Sequence, residues 1–225
     1  MKKLLAAIIA AALLLSGCSL SSRPAVSAPP AETPSPSPTP IVTPTPAPEP
    51  SDDELVLVRD YIPGISIDLK YATTDNFTGQ VIYDSDEAYL RYGTVKKLLA
   101  AQNELSGRGL SLKIWDAYRP VSAQFKLWEI CPNPVYVSDP NNGYSKHSRA
   151  NTVDITLVTS TGESIPMPSG FDDFTSLADR DYSDVSAEAA ENARLLENIM
   201  AENGFVPYSG EWWHYSDSVS YDVYG

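Results

Sequence analysis

The stretch SKHSRANTVDITLV, Ser145 to Val158, decides how the rest of the chain is read. It places His147 seven residues ahead of Asp154, and Asp154 opens an apolar run, Ile155, Leu157 and Val158, with the signature of a buried strand. A loop-borne imidazole followed by a strand-borne carboxylate suits zinc, which takes His nitrogen and Asp oxygen, and a rigid strand fixes one of the two. A third ligand must come from elsewhere. The chain has two histidines, and the second, His214, lies in GEWWHY, three residues after Glu211. Convergence of His147, Asp154 and His214 would leave a fourth position for water, which marks a catalytic zinc site and not a structural one.

Residues three apart on a flat strand point to opposite faces, so Glu211 and His214 share a site only if a bulge or turn re-aims one of them. Ser209-Gly210 just upstream permits this. In that arrangement His214 ligates, and Glu211, left unligated, takes the proton from zinc-bound water, whose pKa the metal lowers to about 7. Trp212 and Trp213 read as packing that excludes water. Spacing by itself leaves open that all of these are ordinary buried polar residues.

Upstream, Leu110 to Trp115 reads as a strand ending in DAYRP. Arg119 precedes Pro120 and is held extended at a strand-to-helix junction. It either aims its guanidinium inward or forms a surface ion pair with Asp116. YATTDNFTG, Tyr71 to Gly79, reads as a polar surface turn with an aromatic near each end. Strands are expected at Leu55–Arg59 and Ile65–Leu69, and helices at Tyr89–Leu105 and Val121–Ile130. After Val158 a T-S-T-G-E turn predicts a hairpin returning along Ser164–Met167. The loop Pro168–Ser183 carries Asp172, Asp173, Asp179 and Asp181; solvation explains most of them, but long loops carry sites and at least one could face the pocket. Ser186 caps a helix that Gly204 stops, and Phe205–Tyr208 and Trp212–Tyr215 close the sheet. The expected fold is α+β, one domain over residues 53–225 with a mainly antiparallel sheet flanked by helices.

The N-terminus is of another kind. Two lysines, an apolar run from Leu4 to Leu15, and Ser16-Gly17-Cys18 make a secretory signal over residues 1–17, with a run too short to span a bilayer. Its ending LSGC resembles the lipobox of bacterial lipoproteins, which implies cleavage before Cys18 and acylation of its sulfur. Two or three acyl chains anchor stably where one binds marginally. Residues 18–52 are rich in Pro, Ser, Thr and Ala and have no periodic apolar face. They read as a tether of about 30 residues that could reach ~90 Å at ~3.1 Å each. The expected location is outside the cytoplasmic membrane, lipid-anchored.

A net charge of -13 and no basic stripe disfavour nucleic acid and anionic polymers, and leave small zwitterions or cations as substrates. With Cys18 assigned to lipid, Cys131 has no disulfide partner and reads as a part-buried structural thiol.

YATTDNFTG, WDAYRP, SxHSRxxxxD followed by DITL, TGExxPM, Phe171-Asp172 and IMxxxGFxxYSxEWWHY together resemble the VanX-type D-alanyl-D-alanine dipeptidases and their wider family of zinc D-amino-acid peptidases. The blocks occur in that family's order from Ile65 to Tyr215. The resemblance implies one zinc ion on His147, Asp154 and His214, Glu211 as general base, and Arg119 as the guanidinium facing the tetrahedral intermediate. It further implies that Asp172, with Tyr71 and Ser145, lines the pocket for the ammonium end of a small D,D-dipeptide. Two positions depart from the pattern: Lys146 stands where the family has Ser, and Ala150 where it has Gly. Ala150 matters only if its φ is positive. Lys146 adds a cation beside a ligand, either to bind a substrate carboxylate or to face solvent. The alternatives are a D,D-carboxypeptidase trimming wall stem peptides, and an inactive zinc-stabilised wall-binding module.

Overall fold

The computed structural model describes residues 48–225. The expected signal (1–17), lipidated Cys18 and most of the tether lie outside the described residues. Strand β1 (Leu55–Leu57) runs into the single-turn helix α1 (Val58–Tyr61) and pairs antiparallel with β3 (Tyr89–Arg91). The main sheet has five strands in the order β2 (Ser66–Ile67), β4 (Leu110–Asp116), β5 (Thr152–Thr159), β7 (Glu211–Asp217), β6 (Phe205–Tyr208). Only β2 and β4 pair in parallel; every other pair is antiparallel. Helices α2 (Tyr92–Ser106), α3 (Val121–Ile130) and α4 (Ala187–Glu202) complete the α+β architecture.

The strand β5 is central, and its residues from Thr152 to Val158 are buried on both faces. Val153, Ile155 and Leu157 form one face with Leu112 and Ile114 of β4, and Ile155 and Leu157 pair directly with those two. Leu98 and Leu105 of α2, and Leu196, Ile199 and Met200 of α4, complete this core with little or no exposure. Ser186 caps α4, its Oγ accepting the Ala189 N–H at 3.1 Å, and Gly204 follows its end at φ 84°. The other face of β5 carries Thr152, Asp154 and Thr156, and this is the face the site uses.

Three local expectations are corrected. Tyr89–Arg91 is strand, with the helix starting at Tyr92, because the Leu55–Leu57 edge captures those residues. Val58 and Arg59 are helical, not strand. The return strand after the T-S-T-G-E turn is reduced to a single bridge, Val158 to Ser164. Arg91 then ties the periphery together: its Nε donates to Arg149 O at 3.1 Å, Nη1 to Asp53 O at 2.6 Å and Nη2 to Asp222 O at 2.8 Å. Its guanidinium also lies over the rings of Tyr221 and Tyr224. One cation thus joins the start of the domain, the C-terminal tail and the turn that carries His147.

Candidate active site

Cross-strand register brings the first two ligands together: Asp154 on β5 is paired with His214 on β7. The third arrives from the 3₁₀ turn Lys146–Arg149, whose cap is Ser145; its Oγ accepts the His147 N–H at 3.3 Å. The His214 Nδ1 is 3.0 Å from Asp154 Oδ1, His147 Nε2 is 3.3 Å from Asp154 Oδ2, and the two ring nitrogens are 3.4 Å apart. One ring nitrogen each from His147 and His214 and one carboxylate oxygen of Asp154 lie within 4.8 Å of one another, the two imidazoles approaching different oxygens of Asp154, and this set of two imidazoles and one carboxylate suits a zinc ion. His147 Nδ1 lies 2.9 Å from Ala117 O; donating there leaves Nε2 with its lone pair toward the other ligands.

The buried charges shape one another. Burial opposes ionisation of Asp154, but the neighbouring His147 and His214 outweigh it and hold the carboxyl far below its usual range. Burial lowers His214, whereas in His147 the carboxylates of Asp154 and Asp116 outweigh burial and raise it. Glu211 Oε2 is 3.4 Å from His214 Nδ1, although the two residues are three apart in β7. The re-aiming comes from a break in register: Tyr208 pairs with Glu211 but Pro207 with Tyr215, so residues 212–214 have no counterparts on β6. Burial, then repulsion from Asp154 and Asp172, pushes Glu211 up to about 7, while 36% of its side chain remains accessible.

Arg119 is buried, which resolves the choice left open by its sequence. It does pair with Asp116, through Nη2 at 2.5 Å and Nε at 3.1 Å, but inside the protein. Nη1 donates to Gln124 Oε1 at 3.0 Å. Two of its five N–H bonds remain without an acceptor among the described residues. Asp116 has no exposure, and its other oxygen accepts the Tyr83 hydroxyl at 2.5 Å and the Ala117 N–H at 2.9 Å. A β-bulge between Ile114 and Asp116 makes this arrangement: Ile114 pairs with Ile155 on the core face, whereas Asp116 pairs with Asp154 on the site face.

Tyr71, expected in a surface turn, is buried and donates to Asp172 Oδ2 at 2.8 Å. Its ring lies 5.0 Å from the Arg119 guanidinium carbon. Asp172 alone of the acidic-loop carboxylates named above joins the site; Asp173, Asp179 and Asp181 make local turn contacts. Its φ is 53°, a conformation Asp tolerates. Burial pushes its carboxyl up to about 7, the charges of Asp154 and Asp116 add to this, and the Tyr71 hydrogen bond and Arg119 charge hold it back. Next to it Phe171 lies 5.5 Å from Tyr71 and 5.7 Å from Trp115 between centroids. From the ligands a cleft of about 260 Å³ opens, lined by Ser145, Lys146, Tyr136, Tyr208, Glu211 and His214.

Ala150 has φ 58°, so the departure from Gly is felt: a Cβ in the left-handed region costs about 1–2 kcal/mol. Hydrogen bonds from Ala150 N to His147 O and from Arg91 N to Ala150 O hold it there. Sequence reading also missed Tyr83, which no spacing links to Asp116, and Arg180, hidden among acidic neighbours. Arg180 donates through Nη2 to His214 O at 3.1 Å, and lies over the Tyr215 ring while pairing with Glu197.

The chain matches the Peptidase M15 family, described as D-ala-D-ala dipeptidase, over residues 51–221. It is 40% identical over 162 residues to the D-alanyl-D-alanine dipeptidase of Escherichia coli (strain K12), covering 72% of this chain and 83% of that protein. The D-alanyl-D-alanine dipeptidase of Enterococcus faecium is 36% identical, with 68% and 86% covered. That of Streptomyces coelicolor is 37% identical, with 72% and 91% covered.

Replacing His147, Asp154 or His214 singly by Ala should lower zinc stoichiometry below one after dialysis, whereas Glu211→Gln should keep the metal and lose turnover. Metal analysis beside activity checks the distinction; a metal-free Glu211→Gln protein would make Glu211 a ligand. A raised Asp172 pKa means the folded chain holds a proton that the unfolded chain has released. Stability from this group is therefore full below about pH 4 and lost as pH rises toward 7. In zinc-stripped protein, Asp172→Asn should be more stable than the parent at pH 8 by on the order of 2 kcal/mol and near parity at pH 4. Urea unfolding at the two pH values measures this, and an equal effect at both would remove the titration account.

Proposed function

The chain belongs to the Peptidase M15 D-ala-D-ala dipeptidase family, and on that premise we propose that it hydrolyses D-alanyl-D-alanine, or a close D,D-dipeptide, with one zinc ion held by His147, Asp154 and His214. The observation that carries the reading is the convergence of two imidazoles, 3.4 Å apart, on the Asp154 carboxylate, one at 3.0 Å from Oδ1 and the other at 3.3 Å from Oδ2, with Glu211 beside them. Zinc so held would supply a charge that polarises the scissile carbonyl and acidifies a bound water. Glu211 is placed to take a proton from the attacking water as its oxygen bonds to the carbonyl carbon, and to return that proton to the amine nitrogen as the C–N bond breaks. The Glu211 side chain is part-accessible and lies 3.4 Å from His214 Nδ1, beside the metal position and in reach of water. Arg119 turns its two uncommitted N–H bonds toward the carbonyl oxygen as negative charge develops there, while Asp116 and Gln124 keep the fork from swinging away.

At the other end, Asp172 and Tyr71 receive the substrate's ammonium. A largely buried carboxylate bonded to Tyr71 favours a free amino group over the acylated nitrogen of a stem peptide, which supports the dipeptidase over the carboxypeptidase. A binding module without activity needs neither Glu211 nor Arg119 in these positions. The LSGC ending at Cys18 and the Pro-rich stretch after it support a location outside the cytoplasmic membrane, anchored by lipid. From there the accessible substrates are dipeptides released outside the membrane, so the role is salvage or wall turnover. A chain of net charge -13 meets a small zwitterion more readily than a polyanion.

With zinc present, the protein should cleave D-Ala-D-Ala and leave L-Ala-L-Ala and a stem pentapeptide essentially intact; release of terminal D-Ala from the pentapeptide would favour the carboxypeptidase. Arg119→Lys should lose about two to three orders of magnitude in turnover, close to Arg119→Ala, because a point charge does not replace a planar fork. Cys18→Ser in a bacterial host should move the protein out of the membrane fraction, and a variant that stays there would remove the lipid anchor.

A further inference from the structure

Lys146 sits in the turn that delivers His147 and forms part of the cleft wall with Ser145, Glu211 and His214. The lining of that cleft includes His214 and neither Asp172 nor Tyr71, which are bonded to each other. Most other lysines here are engaged: Lys70 with Asp68 and Asp75, Lys96 with Asp52, Lys97 with Asp217, and Lys126 with Val81 O. Among the described residues Lys146 has neither an ion-pair nor a hydrogen-bond partner, although Glu211 lines the same cleft; Glu211 faces His214 instead. An exposed, uncommitted ammonium at the mouth of a cleft in so acidic a chain is a local reversal of field that draws in one negative group.

A bound dipeptide has such a group. Its ammonium, scissile carbonyl and terminal carboxylate follow one another along an extended chain, with about 3.8 Å between successive Cα atoms. With the first on Asp172 and the second between the ligands and Arg119, the carboxylate emerges on the side of the cleft that Lys146 lines. We propose that Lys146 is a specificity-determining residue that reads the free C-terminal carboxylate of the substrate. The assignment rests on the dipeptidase reading above and adds to it the terminal group that is selected. It also gives the substitution at Lys146 a function: a neutral hydroxyl there would accept a neutral C-terminus more readily, and a cation penalises one.

The test compares the full-length, zinc-loaded chain with Lys146→Met, which keeps the aliphatic stem, and Lys146→Glu, on D-Ala-D-Ala and on its C-terminal amide. The parent should prefer the free acid in kcat/KM. In Lys146→Met that preference should shrink by about tenfold, mainly through KM on the acid, with the amide nearly unaffected. Lys146→Glu should shrink it further, and added salt should weaken the parent's preference but not that of Lys146→Met. Zinc stoichiometry should be unchanged in both variants. An acid-to-amide ratio that is the same in parent and Lys146→Met overturns the assignment, as does an equal fall on both substrates, which would place Lys146 among the supports of His147. A parent inactive on D-Ala-D-Ala would remove the dipeptidase reading and this assignment together, and is told apart because the failure is in the parent.

Discussion

A carboxylate with no access to water must be compensated in full by the protein around it, and Asp116 is the point where that requirement organises this structure. One oxygen accepts Tyr83 and the Ala117 N–H, and the other is held by two guanidinium nitrogens of Arg119. Those partners come from the loop before β3, the end of β4 and the start of α3. The Asp116 oxygen bound to Arg119 is also 3.6 Å from His147 Nδ1, so the same charge that immobilises the guanidinium biases the ligand imidazole. Removing either Arg119 or Asp116 leaves the other's charge buried, which costs far more than the pair contributes. The fork is therefore fixed in place by the folded chain itself.

Around this hub the site is assembled on rigid strands and adjusted by irregularities. Two breaks in ladder register do most of the adjustment. The bulge at the end of β4 turns Asp116 onto the face of Asp154, and the mismatch between β6 and β7 lets Glu211 reach His214. The His147 turn is less regular and is correspondingly fastened. Ser145 caps it, Arg91 and the C-terminal tail tie down its backbone through Arg149 O, Ala150 O and Ser148 O, and Arg149 donates to Tyr221 O. These contacts also hold Ala150 at its unfavourable positive φ. Strain next to a ligand is thus offset by hydrogen bonds that lie away from the chemistry.

The charged groups of the site fall in three places. Asp172 is bonded to Tyr71, whose ring lies over Arg119; His147, Asp154 and His214 converge; and Lys146 is a cation on the wall of the cleft. Phe171 packs between Tyr71 and Trp115 next to Asp172, and burial raises that carboxyl to about 7. A group so placed gains most when a partner of opposite charge replaces the water it has lost.

Local sequence carried the regular elements and the ligand types. The apolar run after Asp154, the Ser186 cap and the Pro120 boundary depend on neighbours a few positions away, and they stand where local chemistry puts them: β5, α4, and α3 over Val121–Ile130. The scarcity of histidine was informative too, because two imidazoles in polar settings narrow the choices for a nitrogen-rich metal site. What the chain order could not express was set by pairing across the fold. Tyr89–Arg91 is drawn into a strand by Leu55–Leu57, Tyr71 is buried by a loop 101 positions away, and Tyr83 reaches Asp116. Arg119 looked equally suited to surface or site, and its burial against Asp116, Gln124 and Tyr71 decided the matter. The sequence determined which side chains could do the chemistry; the tertiary structure determined which of them meet, because burial, register and a shared buried charge are properties of segments brought together and not of either segment alone.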